Sequence, residues 1–213
     1  MQLFSNAERG RLFRSVCFPL FIFVTAMTGL LLAGGCQQSP KAPGGEASKV
    51  AEQANSALAN MDWDAYSSMM HPDAANEFRN MVLPTIETML PKLSDSVLQD
   101  TVVLFGQDVS VKALRDKPAP EFFAAIMNLV FDNVPQLRQT FLSMQTQVVG
   151  EVAESNDLVH VVSRTTMSIN QGELEEMNVL TMRRDGDAWK MHLSSKIKGL
   201  AQLIQQFLGA QRG

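Results

Sequence analysis

From residue 48 onward the hydrophobic positions change period about halfway along the chain. Val50, Ala54, Ala57, Leu58 and Met61 recur at helical spacing. Asp62 then caps a second short helix, "WDAYSSMM". His71-Pro72-Asp73 restarts the chain, and Ala74, Phe78, Met81, Val82, Ile86, Met89 and Leu90 form a helical stripe that Pro84 is expected to kink or end. Ser94 is placed to cap a helix over "DSVLQDTVVLF" with Gly106 as its stop, although the β-branched residues keep a strand open as the alternative. Ser110 opens a short helix through Arg115. "KPAPE" breaks the chain, and Pro120 stands in the first turn of "EFFAAIMNLVF".

The second half alternates. Residues 144–154 and 158–170 are two runs joined across "SND", a hairpin signal. "QGEL" turns into "EEMNVLTMRR", and Asp185-Gly186-Asp187 turns into "AWKMHLS", which completes a four-stranded antiparallel meander. Ile197, Leu200, Ala201, Ile204, Phe207 and Leu208 give a C-terminal amphipathic helix. Helices segregated before a sheet make this an α+β domain, expected over residues 48–213, with no internal repeat.

The first 35 residues follow a different rule. Arg9, Arg11 and Arg14 precede an uncharged run over residues 16–33, and small residues follow. A basic start, an apolar middle and a small-residue exit make a secretory signal; a single uncleaved span is the other reading. Leu32-Ala33-Gly34-Gly35-Cys36 resembles the lipobox of bacterial lipoproteins. The resemblance implies cleavage between Gly35 and Cys36, with the Cys36 thiol as the lipid attachment site carrying diacylglyceryl and palmitate-type chains. Residue two of the mature chain would be Gln37 rather than aspartate, which in diderm lipoproteins implies the outer membrane. The other cysteine, Cys17, lies in the discarded segment, so no disulfide framework is expected. "QQSPKAPGGEAS", residues 37–48, is too rich in Pro, Gly and Ser to pack. Residues 36–47 therefore serve as a flexible tether, about 40 Å long if extended.

Two stretches of the domain, "MDWDAYSSMMHPDAANEF" and "RRDGDAWKMHL", are similar to the second helix and the closing hairpin of the nuclear transport factor 2-like (SnoaL-like) superfamily. The resemblance covers residues 48–196 and implies N-terminal helices wrapped by a strongly curved sheet in a cone. The chain departs from that pattern in a longer helical segment between Leu93 and Phe131 and in its C-terminal helix, both placed to fill or cap the cone.

Charge and chemistry narrow the function by exclusion. The chain carries a net charge of −4, and the part from Cys36 onward holds 15 basic and 21 acidic residues, a net of −6. With no basic run, nucleic acid is not expected as a partner. Tyr66, the only tyrosine, does not share a helix face with Asp64 and is expected half-buried against the sheet. His71 is expected to close its turn. His160 and His192 fall on the polar parity of their strands, pointing away from the core, about 9.6 Å apart across an intervening strand. That is too far for joint metal ligation, and no metal or cofactor is expected. Met69, Met81, Met89, Met127, Met177 and Met191 fall on core stripes and are read as gap-fillers. "GELEEM" reads as a solvated strand start. The expectation is a membrane-anchored envelope lipoprotein whose domain binds a partner protein or a small apolar ligand without catalysis. The alternative is an isomerase- or dehydratase-type enzyme with a pocket inside the cone.

Overall fold

In the computed structural model, residues 45–90, 100–169 and 172–210 are described. Gly35, Cys36, Cys17 and Ser94 lie outside them. None of the described helices is long and apolar enough to cross a membrane.

A stripe of small residues starts the fold. Helix α1 (Glu46–Asn60) buries Ala47, Ala51, Ala54 and Ala57 together with Ser48, a face slim enough to lie close against its neighbours. Met61, in the left-handed conformation at φ 55°, ends it by returning its N–H to the last turn. Asp62 then accepts a 2.9 Å hydrogen bond from the Ala65 N–H and caps α2 (Trp63–Ser68), as expected. His71 caps α3 (Pro72–Glu87) through Nδ1, which accepts from the Asp73 N–H at 3.2 Å.

Helix α3 does not end at Pro84; it runs on to Glu87. A proline ring disturbs the carbonyls of the turn before it. The Met81 carbonyl, three residues before Pro84, accepts from the Gln205 side-chain amide of the C-terminal helix. A neighbouring helix is thus tied to α3 in the turn where the proline falls.

Residues 101–104 take the strand alternative. Strands β1 (Thr101–Leu104) and β2 (Gln107–Ser110) form an antiparallel hairpin in register Thr101↔Ser110 to Leu104↔Gln107. Its turn sets both Phe105 (φ 51°) and Gly106 (φ 84°) at positive φ, the two-residue geometry whose twist matches the strands. Gly106 is therefore a hairpin turn and not a helix stop. Ser110 caps α4 (Val111–Asp116), as expected. Helix α5 (Ala119–Asn133) supplies the most apolar face, with Phe122, Phe123, Ile126, Met127, Val130 and Phe131 buried. Helix α6 (Pro135–Leu142) follows it and was not anticipated.

The four-stranded meander holds as read: β3 (Met144–Ala153), β4 (Leu158–Ile169), β5 (Gly172–Asp185) and β6 (Ala188–Met191) pair antiparallel in that order. Helix α7 (Ser195–Ala210) packs on α3, with Ile197, Leu200, Ala201, Ile204 and Leu208 buried. One sheet face carries Val159 and Val161 of β4, Met182 of β5, and Trp189 and Met191 of β6, all buried. Trp63 sits at the centre of the core, 1% exposed, with its ring 4.8 Å from Phe131 and 6.3 Å from Phe123.

Candidate functional site

The core face of the sheet changes character along β4. Val159 and Val161 face the aromatic core; two and four residues on, Ser163 and Thr165 occupy the same parity and are also buried. Across the sheet they register with Asn178 and Glu176 of β5 and with Val148 and Thr146 of β3. The hydroxyls of Thr146 and Thr165 lie 3.1 Å apart, and the Asn178 side-chain amide donates to Thr165 Oγ1 at 3.1 Å. Among the described residues no buried side-chain N or O lacks a partner.

These groups border a recess between the sheet, α1 and the start of α7, with Tyr66 and Ser194 on its wall. The recess is small, about 70 Å³, room for about two waters. Tyr66 is buried rather than half-buried, 7% exposed, and its ring stacks on Phe123 at 5.7 Å. Burial pushes its hydroxyl up to about 12, against a smaller downward pull from the hydrogen bond with Ser194. It is therefore a protonated donor at neutral pH. No carboxylate or imidazole is among the described residues lining the recess; Lys196 lines it and pairs with Glu176 at 3.2 Å.

A larger space than the recess lies on the surface. At one end α1 is fastened to β3: Ser48 Oγ donates to Glu151 Oε2 at 2.6 Å. A Cβ on Gly45 would stand 2.1 Å from the same carboxylate, so the helix starts where only glycine fits without displacing it. Toward the other end the two elements part, leaving an open groove of about 540 Å³. Glu52, Asn55 and Leu58 of α1 line one side, Gln145 and Gln147 of β3 the other, and Phe141 of α6 the base. Phe141 is held edge-on against Phe131 at 4.8 Å.

The histidines form a third feature. His160 is partly exposed on the polar face, with Nε2 2.7 Å from Glu154 and Nδ1 3.2 Å from the Thr181 hydroxyl. His192 follows β6, and its N–H donates to the Thr181 carbonyl, so β5 stands between the two histidines as expected. The sequence reading missed that His71 stacks on His192, centroids 5.1 Å apart and planes at 12°. The signal was tertiary: a short parallel bridge between Met70 and Met191 brings the α2–α3 loop to β6. Burial lowers the His192 pKa, helped by His71 and Arg183; Asp73 and Glu77 oppose the shift. No group of three metal-ligating side chains comes together among the described residues.

Among the methionines read as core, Met127 and Met191 are buried, and Met69, Met81 and Met89 pack against the core. Met177 is not core: it is 53% exposed, because its parity on β5 opposes that of Met182. The acids of "GELEEM" are solvated and partly paired, Glu175 with Arg164 at 3.0 Å.

No protein-family model matches the chain, and no curated protein matches it. A solved structure that matches is an NTF-2-like protein of unknown function from Shewanella oneidensis MR-1. It is 14% identical, covers 70% of this chain and 93% of its own, and has a TM-score of 0.37. It bears the family name that the helix and hairpin stretches resemble.

Proposed function

We propose that the protein is an envelope lipoprotein, anchored through Cys36, whose domain binds a partner protein in the groove between α1 and β3 and performs no catalysis. What carries this reading is where the space lies. A pocket for a small organic ligand encloses about 300–1,000 Å³. The interior recess offers about 70 Å³ and the surface groove about 540 Å³. An open groove walled by amides and a strand edge suits a polypeptide better than a small apolar molecule. An isomerase or dehydratase would use Tyr66 as a proton donor, but the described residues lining the recess include no carboxylate or imidazole to take a proton.

The anchor is tested separately from the domain. Cys36→Ser is expected to accumulate as unprocessed precursor in membrane fractions; normal processing of that variant would remove the lipoprotein reading. Native mass spectrometry of the full chain, extracted gently from membranes, tests the binding reading. A protein partner is expected. A stoichiometric small molecule on an otherwise lone chain would overturn it.

A further inference from the structure

The two halves of β3 are protected differently. Past Val148 the strand carries a bulge between Val148 and Gly150, and then Glu151, which faces α1 and is held by Ser48. Bulges and inward charges are the devices that keep a sheet edge from pairing with another chain. The half from Met144 to Val148 has none of them: it contains no charge, no proline and no glycine. It is also the half that borders the groove. β3 is the first strand of the sheet, so alternate residues aim their N–H and C=O groups away from β4. Among the described residues no other backbone bonds to this stretch.

Resting on the partner-binding reading, we propose that the groove receives an extended segment of a partner protein as an added strand along Met144–Val148. Five residues of strand span about 17 Å. The added segment would satisfy the outward backbone groups of β3 and turn alternate side chains toward Leu58, Phe141 and Met144. Among the described residues lining the groove the only charged one is Glu52, so the segment is uncharged or basic. A second copy of this chain is the wrong shape. Antiparallel pairing of two β3 edges about a two-fold axis puts both core faces on the same side, each with its own α1 beside the shared edge. A strand needs about 4.8 Å of lateral room and a helix about 10 Å.

The test uses the full chain in its native membranes, with benzoylphenylalanine at position 147 or, as a second probe, at position 177, two strands away from the β3 edge on the same exposed sheet face. The expected result is a photo-adduct from position 147 to another protein, mapping to an uncharged or basic segment. A synthetic peptide of that segment then slows amide exchange at Met144–Val148 about tenfold or more. Gln145→Lys with Gln147→Lys, both exposed, weakens that peptide about tenfold, because lysines along a strand edge discourage an added strand from pairing there. An adduct from position 147 to a second copy of the chain overturns the proposal. Adducts from position 177 alone, with exchange at Met144–Val148 unchanged, overturn strand addition and leave partner binding standing. No adduct from either position overturns both.

Discussion

The two edges of the sheet end in opposite ways. At β6 the chain closes its own edge. The Met191 N–H donates to the Met69 carbonyl at 2.8 Å, the His71 N–H donates back to the Met191 carbonyl at 2.7 Å, and the His71–His192 stack covers the junction. Lys190 reaches the Ser68 carbonyl at 2.5 Å. At β3 the first five residues keep their outward backbone groups facing the groove, which no other described backbone fills. The same requirement, that strand N–H and C=O groups find partners, is met from within the chain on one side and left to solvent or a guest on the other.

The comparison breaks most severely at Trp63, which anchors the helix leading into the β6 clasp. Trp63→Ala is expected to cost about 3–5 kcal/mol, read from urea unfolding midpoints, because a fully buried indole leaves a cavity among Phe123, Phe131 and Tyr66. An effect below about 1 kcal/mol would mean the closed edge does not depend on α2.

A smaller effect separates the edges by pH. The folded-state pKa of His192 lies below its ordinary value, so the folded protein binds this proton less readily than the unfolded chain. Its contribution is complete above the unfolded value of about 6.5 and declines as pH falls below it. His71, Arg183, Asp73 and Glu77 are the titratable groups that act on it. The unfolding midpoint is expected to drop between pH 7.5 and pH 5, and His192→Gln should flatten part of that drop. An unchanged slope in the variant would assign the pH dependence to other groups.

The smallest effect is expected at the open edge. Gln145→Lys with Gln147→Lys should shift stability by no more than about 0.5 kcal/mol, since both side chains are exposed. A larger loss would show that this edge is already engaged within the fold.

Where the sequence was readable, the signal was local. Asp62 and Ser110 are cap residues at the right spacing, and the alternation in β4 puts Val159 and Val161 inside and His160 outside. The β1–β2 hairpin was harder to see because phenylalanine is not a turn residue; Phe105 occupies its positive-φ position beside Gly106. Pro84 does not end α3, and the tie from Gln205 of α7 to the turn before it is a tertiary contact that periodicity does not carry. The recess and the groove were illegible for a related reason. Both depend on the angle between α1 and β3, and periodicity carries no information about that angle. Met177 was misread because an apolar residue on a strand counts as core only when its parity agrees with the buried row.

The fastening of α1 to β3 also decides how the domain would bear a pull. Tension entering from the residue-45 side arrives first at the opening turn of α1. There Ser48 holds Glu151, and Glu46 stands 3.6 Å from Arg184. The first bonds under load therefore join that helix to the sheet, and the helix they hold is also one wall of the groove. Under the proposed anchoring through Cys36, a pull on the chain would reach that wall before the rest of the domain.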